Sequence, residues 1–212
     1  MIWRKISQTL YNFFAHFSIW PILFIGLILR VININAPVIG IHSWRQADTA
    51  SIAKNFVYNN LIFWQPQVNW AGSTNGFVEC EFPLYQYLVA ILYKIFGVNE
   101  IYARALSVLF GCLSILILFR LIKKVFNLEV AWWGTLFYAI LPISVFYSRT
   151  IQPESLMILL GILSLERWIT FTENQNKYAL FVSWLSFTIA VLIKGLPLFW
   201  ITLPENNDYF EN

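Results

Sequence analysis

Ionisable side chains stand beside or inside long apolar runs at several separate places in this chain. The residues concerned are Arg45, Asp48, Glu79, Glu81, Arg149, Glu154 and Lys194. Charges next to membrane helices are costly, so they usually face protein or a water-filled cavity. Carboxylates and cations in one such cavity can move a proton and hold an anionic substrate. The pattern therefore predicts one external polar cavity built from distant parts of the sequence.

Each of these residues also has a purely structural interpretation. Arg45 and Asp48 could form an i,i+3 surface ion pair, worth about 0.2–0.5 kcal/mol. Glu154 follows Pro153 in a first helical turn, where a carboxylate meets the positive end of the helix dipole. Lys194 could extend its charge to the lipid headgroups. The residue pattern leaves these alternatives open.

The composition indicates a membrane protein. Of the 212 residues, 58% are hydrophobic and only 12% are charged, whereas soluble domains carry about 25% charged residues. A soluble fold of this size keeps a large exposed surface and could not cover so much apolar area. A lipid solvent removes that difficulty.

The charge balance and the cysteines argue against two other classes. The net charge of +3 is not gathered into a basic face, so nucleic acid is not an expected partner. Cys112 lies in an apolar run and Cys80 in a polar loop, and no CxxC spacing occurs. A structural zinc site therefore has no support.

Five apolar runs approach the ~20 residues that a bilayer-spanning helix needs. They cover residues 17–34, 101–122, 130–147, 153–171 and 178–201. Backbone groups in lipid must be satisfied internally, so each run is expected to be helical. The first lacks a clean cleavage site, which favours a retained helix over a signal peptide. The predicted fold is an all-α polytopic transmembrane bundle.

A long loop, residues 35–100, separates the first two runs. It contains a helical pattern over residues 43–58 and a proline-led apolar segment over residues 83–96. Both are short or mixed in character, which predicts helices lying in the membrane interface. The whole membrane domain is expected to cover residues 1–203. The polar residues 204–212 are expected to be the tail of a truncated or frameshifted reading frame.

Basic residues set the predicted orientation. Arg4 and Lys5 precede the first run, and Arg120, Lys123 and Lys124 crowd the junction of the second and third. Cytoplasmic loops carry an excess of lysine and arginine. The N-terminus is therefore expected in the cytoplasm. The long loop, residues 148–154 and Lys194 are then expected on the external or periplasmic side of the plasma (inner) membrane.

Five sequence strings follow one another in the order of a known membrane enzyme superfamily. They are HSWRQADTASIAKNF at 42–56, EFPLYQYL at 81–88 with Phe96–Gly97, ARALSVLFG at 103–111, residues 147–154, and Lys194–Gly195. Together they resemble the N-terminal part of the dolichyl-phosphate-mannose protein mannosyltransferase and bacterial aminoarabinose transferase superfamily, the family 39 glycosyltransferases of GT-C fold. The family's usual Asp-Glu pair is Asp48–Thr49 here, and its Lys-Pro-Pro is Glu81–Phe82–Pro83.

The resemblance implies transfer of a sugar from a polyprenyl-phosphate donor to a lipid, glycan or protein acceptor, with inversion and without a metal or other cofactor. Asp48 matches the essential acidic residue of the family's first external loop and would be the general base. Glu154 matches the acidic residue of the second loop and would orient the acceptor or the base. Substrate and phosphate binding would fall to Arg45, Glu81, Arg104, Arg149 and Lys194.

Two other functions compete with the transferase hypothesis. A transporter or lipid flippase would use the same charges along a pathway, and it would need broken helices at mid-bilayer. Residues 194–197 give the one hint of such a break. A non-catalytic remnant is the second rival, on the evidence of the abrupt polar end.

Overall fold

The structure is a computed structural model that describes residues 18–38, 42–59, 61–70, 72–78 and 81–198. Within these ranges the regular structure is eight α-helices, a 3-10 turn at Leu196–Leu198 and one isolated antiparallel bridge between Gln67 and Phe77. The predicted all-helical class is thereby confirmed. The helices are α1 (Trp20–Val31), α2 (Ser43–Tyr58), α3 (Leu84–Phe96), α4 (Glu100–Val125), α5 (Leu128–Ile140), α6 (Pro142–Tyr147), α7 (Glu154–Asn174) and α8 (Lys177–Ile193).

Asparagine side chains begin three of the apolar helices. Asn99 accepts a hydrogen bond from the Ile101 amide at 2.9 Å before α4, and Asn127 accepts one from Val130 before α5. Asn176 does the same for α8. Such caps satisfy amides that have no partner inside the helix. Short polar turns therefore separate the apolar helices cleanly.

Two helices, α4 and α7, are long and apolar enough to cross a membrane, judged by length and composition. Their most apolar stretches are 28% and 39% buried, and large apolar side chains such as Leu109 and Trp168 remain half exposed. The helices α1, α3 and α8 are apolar but shorter. Large apolar surfaces turned outward are typical of contact with lipid or a partner.

The third predicted run is not one continuous helix. Residues 130–147 divide into α5 and α6, with Leu141 in an extended conformation between them. Pro142 has no amide hydrogen and disfavours helical geometry in the residue before it. In the fifth predicted run, α8 ends at Ile193 and Lys194 is extended, so the helix stops at the break that residues 194–197 indicated.

Helix α4 is the centre of the packing, in contact with α1, α3, α5 and α7. Small residues allow the close approaches. A Cβ on Gly26 of α1 would lie 2.6 Å from Ile115 Cδ1, and one on Gly111 of α4 would lie 2.6 Å from Ser148 Cβ. Between α7 and α8, the Ser183 hydroxyl donates to the Ser164 carbonyl at 2.8 Å. Small and hydroxyl residues at helix interfaces are typical of membrane bundles.

A fully buried arginine joins the broken helix to α1. Arg30 donates from Nη1 to the Ala139 carbonyl at 2.9 Å and from Nη2 to the Ser144 hydroxyl at 2.8 Å. Its Nη1 also meets the Gly26 carbonyl of its own helix at 3.0 Å. Arg30 therefore supplies the hydrogen bond that the Ala139 carbonyl does not obtain from a continued helix.

A buried ion pair fastens α7 to the last turn of α4. Glu166 is 1% exposed, and its Oε1 accepts a hydrogen bond from Lys124 Nζ at 2.6 Å. Arg167 Nε lies 2.6 Å from the other carboxylate oxygen. Buried carboxylates need such partners, so this end of the helix pair is held in register.

Candidate functional site

Four charged side chains named by the sequence meet in one ion cluster. We call it the Glu154 cluster; its members are Arg45, Glu81, Glu154 and Lys194. Arg45 forms a charged hydrogen bond with Glu81, and its Nε lies 3.5 Å from Glu154 Oε1. Lys194 Nζ donates to the same Glu154 oxygen at 2.5 Å. The structure thus brings together residues from four separate stretches of sequence.

The ends of four helices position the cluster. Arg45 lies in the first turn of α2, Glu81 just before α3, Glu154 at the start of α7, and Lys194 at the end of α8. Hydrogen bonds from backbone amides hold these ends together. The Ile151 amide donates to the Gln46 side chain at 3.3 Å, and the Phe82 amide donates to the Leu192 carbonyl at 3.4 Å. Helix ends carry unsatisfied groups and local charge, so they concentrate polar chemistry.

Glu154 is the buried centre of this arrangement. Its side chain is 9% exposed, against 28% for Lys194 and 39% for Arg45. Both cations approach Oε1, whereas Oε2 has no hydrogen-bond partner within the described part of the chain. A buried polar atom without a partner is uncommon and needs an explanation. Oε2 is itself buried, so this unpaired oxygen adds to the cost of holding Glu154 away from water.

The cations of the cluster are balanced by its carboxylates, two against two. Burial alone would lower the pKa of the Arg45 guanidinium. The hydrogen bond and charge of Glu81, together with the charge of Glu154, outweigh that effect, so the pKa of Arg45 is raised from its ordinary value. Arg45 therefore stays charged, and Lys194 is held by Glu154 rather than extended to headgroups.

Asp48 lies one turn after Arg45 on α2 but has a different partner. Its Oδ1 accepts a hydrogen bond from Trp70 Nε1 at 2.9 Å. The ion pairs that Arg45 makes are with Glu81 and Glu154, so the i,i+3 pair with Asp48 is not the arrangement observed. Sequence patterns gave no signal for Trp70, because its loop has no helical or strand periodicity.

Arg104 and Arg149 hold the segment that follows α1. Arg104 donates from Nη1 to the carbonyls of Ile34, at 2.8 Å, and of Ala36. Arg149 Nη1 approaches the Ile32 carbonyl at 3.4 Å, a long contact. Arg104 is 5% exposed, so it braces the backbone, while Arg149 is partly exposed and makes only this long hydrogen bond among the described residues.

Two cavities lie beside the segment that follows α1. The first, of about 400 Å³, is lined by residues 34–38 and 99–101 together with Arg104. The second, of about 220 Å³, shares Val38 and Glu100 with it and reaches Ser51 and Lys54 of α2. Members of the Glu154 cluster line neither cavity.

Some residues singled out by sequence lie outside the described ranges. These are Arg4, Lys5, Glu79, Cys80 and residues 204–212. Among the residues that the structure describes, no three His, Cys, Asp or Glu side chains group closely enough to hold a metal ion.

Two helices long and apolar enough to cross a membrane, together with buried ion pairs between helices, fit a helical protein of membrane type. The family of dolichyl-phosphate-mannose-protein mannosyltransferases matches this chain over residues 81–202. That is more than half of its length, and the chain belongs to this family. No curated protein and no solved structure matches the chain.

The family assignment gives the general chemistry. Its members are membrane glycosyltransferases of the mannosyltransferase type that use polyprenyl-phosphate-linked sugar donors. The matched region includes Glu81, Glu154 and Lys194 of the cluster. Helix α2, with Arg45 and Asp48, precedes it.

Proposed function

We propose that this chain transfers a sugar, with inversion, from a polyprenyl-phosphate donor to an acceptor hydroxyl at the external face of the plasma (inner) membrane. The acceptor oxygen forms a bond to C1 of the sugar, while the bond between C1 and the phosphate oxygen breaks. The acceptor proton passes to a carboxylate, and polyprenyl phosphate leaves. This sequence balances without a redox partner.

The observation that carries the proposal is the Glu154 cluster. A lipid-phosphate donor needs cations at the membrane surface, and an acceptor needs a nearby carboxylate. The cluster places Lys194 and Arg45 around a buried carboxylate at the end of membrane-capable α7. Buried charges of this kind are expensive and usually serve a function.

Each predicted residue has a role in this scheme. Asp48, one helical turn from Arg45, is the general base that takes the acceptor proton. Arg45, Arg149 and Lys194 stabilise the phosphate charge, for which the guanidinium fork is well suited. Glu154 orients the acceptor or the base.

The remaining two residues act indirectly. Glu81 holds Arg45 in place, a role that the ion pair between the two side chains supports. Arg104 keeps the segment after α1 in position through the carbonyls of Ile34 and Ala36.

The membrane arrangement belongs to the same proposal. The helices form the N-terminal part of a GT-C-type bundle over residues 1–203, with the N-terminus in the cytoplasm. Helices α2 and α3 lie in the external interface within the loop of residues 35–100. Helix α3 has 13 residues and α2 mixes polar and apolar side chains, which suits the interface better than the bilayer core.

The test is donor turnover by the full chain in lipid vesicles supplied with radiolabelled polyprenyl-phosphate mannose and a membrane extract as the acceptor source. Transfer of label and release of polyprenyl phosphate are measured for the wild type and for Asp48→Asn. Loss of a general base is expected to lower the rate about 100-fold or more. Membrane insertion, followed by the yield in the membrane fraction, should be unchanged.

Glu173→Gln is the matched control, because Glu173 is an exposed carboxylate near the far end of α7. It should turn over the donor at the wild-type rate. A wild-type chain that releases no polyprenyl phosphate would refute the transferase proposal. Full activity in Asp48→Asn would remove Asp48 from the role of base.

A further inference from the structure

One face of α2 carries a regular row of side chains that points to the following loop. Its members are Trp44, Asp48, Asn55 and Asn59, separated by four, seven and four residues. Side chains at such intervals lie on the same face of an α-helix. The row borders the buried face of α2, where Ile52 and Phe56 pack.

The loop of residues 67–70 is fastened to this row from end to end. Asn59 donates to the Gln67 side chain. Asn55 Nδ2 donates to the Gln67 carbonyl at 2.8 Å and to Asn69 Oδ1 at 2.9 Å. The loop therefore runs antiparallel to α2 and delivers the next residue, Trp70, to Asp48.

Further along, the loop is supported by its own return segment. The Val68 amide donates to the Gly76 carbonyl at 2.9 Å, and the Val78 amide donates to the Pro66 carbonyl at 3.1 Å. These bonds close a hairpin around the isolated bridge between Gln67 and Phe77. The position of Trp70 is thus fixed from two sides, by α2 and by the hairpin.

Two exposed indole rings flank the Asp48 carboxylate as a result. Trp44 is 70% exposed and Trp70 is 61% exposed. Their ring centroids lie 6.0 Å apart with planes inclined by 36°, and Trp70 Nε1 donates to Asp48 Oδ1 at 2.9 Å. Aromatic faces offer rigid apolar contact area, and a carboxylate accepts hydrogen bonds from several hydroxyls.

We infer that Trp44, Asp48 and Trp70 form a subsite for the pyranose ring of a saccharide acceptor. The C–H face of a pyranose packs on an indole ring, while its hydroxyls donate to the carboxylate. This inference rests on the proposed function and narrows its acceptor class. A general base must lie within hydrogen-bond reach of the proton it removes, so the ring beside Asp48 carries the accepting hydroxyl.

The partners of Trp70 distinguish this subsite from a membrane-interface belt. An interfacial tryptophan turns its N–H to water or headgroups, whereas the Trp70 N–H is directed to Asp48. A serine or threonine acceptor in a peptide has no ring to cover two indole faces. The segment just before this loop supplies a matched control in Trp64, which is 78% exposed and contacts the rings of Phe63 and Phe82.

The experiment uses the full chain in nanodiscs with methyl pyranosides of mannose, glucose and galactose as soluble probes. Saturation-transfer NMR measures their binding, and release of polyprenyl phosphate measures donor turnover. At least one pyranoside should bind and alter turnover in the wild type. Trp44→Ala and Trp70→Ala should weaken that binding about tenfold without changing the KM for the donor. Trp70→Phe, which retains a ring, should bind within about twofold of the wild type, and so should Trp64→Ala.

The outcomes separate the inference from the function on which it rests. Pyranoside binding that depends on Trp44 and Trp70 supports the subsite, even in a chain that fails to turn over the donor. Donor turnover with wild-type pyranoside binding in both alanine variants overturns the inference and leaves the transferase function standing. Equal weakening by Trp64→Ala, a raised donor KM, or transfer to a serine peptide but to no pyranoside would also overturn it.

Discussion

At the scale of single residues, the buried Glu154 carboxylate sets the energetics of the site. A carboxylate taken out of water is costly unless cations and hydrogen bonds replace its hydration. Lys194 provides the short contact at 2.5 Å, and Arg45 lies farther away at 3.5 Å. Glu154 is thus more dependent on α8 than on α2.

Removal of that short contact should destabilise the protein. Lys194→Met leaves Glu154 with Arg45 alone, and loss of one partner of a buried pair costs up to about 3–5 kcal/mol. We expect a lower Tm in detergent. The double variant Glu154→Gln, Lys194→Met should recover part of the loss, since the uncompensated charge is gone.

Lys177→Met, at the exposed start of α8, is the control and should change the Tm little. An unchanged Tm in Lys194→Met would show that the ion pair contributes nothing to stability.

The members of the cluster were predictable singly, but their pairing was not. Charge beside an apolar run identified Arg45, Glu81, Glu154 and Lys194. Their partners lie 36 and 40 residues away along the chain, and only the packing of helices brings them together. The contact of Trp70 with Asp48 could not be predicted, because Trp70 is placed by the side-chain amides of Asn55 and Asn59 that hold its loop to α2.

At the scale of secondary structure, the close packing of α4 against its neighbours depends on glycines. A Cβ on Gly111 would meet Ser148 Cβ at 2.6 Å and Ser148 Oγ at 2.7 Å, with Arg30 Nε at 3.0 Å. Ser148 ends α6 and is itself buried. The glycine therefore allows the broken helix to lie directly on α4.

Gly111→Ala should force α4 and α6 apart. Overpacking of this kind costs about 1–3 kcal/mol, and the displacement reaches Arg30 and the Arg149 turn. We expect a lower Tm in detergent together with reduced donor turnover. Gly195→Ala is the control, since no described part of the chain lies within 4 Å of its Cβ position. Equal stability of both variants would contradict the packing described here.

Hydrophobic periodicity and turn residues predicted most of the helices, but the length of one apolar run concealed a break within it. The predicted segment 43–58 agrees with α2, and Pro83 and Gly97 bound α3 as expected of helix-starting and helix-ending residues. In residues 130–147 the continuous hydrophobicity satisfied a spanning length and concealed the effect of Pro142. The buried Arg30 that stabilises this break gave no pattern of its own, because a lone arginine at the end of an apolar run also fits an interfacial position.

At the scale of the whole molecule, α7 is held to its neighbours at two points, each a pair of a carboxylate on α7 and a lysine from the α4 or α8 segment. Glu154 pairs with Lys194 of the α8 terminus, and Glu166 pairs with Lys124 of α4. The two carboxylates are twelve residues apart, about 18 Å along the helix. These two ionic contacts resist sliding of α7 against its neighbours.

The proposed topology predicts which residues can be labelled from outside the cell. In a Cys80→Ser, Cys112→Ser background, single cysteines at Ala47 and Arg149 should react with an impermeant maleimide in intact cells. A cysteine at the exposed Lys123 should react only after permeabilisation. Labelling of the positions at 47 and 149 from opposite sides would separate Asp48 from Glu154 and exclude a shared site.

The spacing of the Glu154 contacts along the chain also orders their formation in time. Lys194 emerges from the ribosome 40 residues after Glu154, a delay of about 2–8 s at the usual rate of synthesis. Of its two cations, Arg45 is already made when α7 appears, whereas the stronger partner arrives last. In a nascent chain the Glu154 carboxylate therefore has only Arg45 as a cationic partner until α8 and Lys194 have been made.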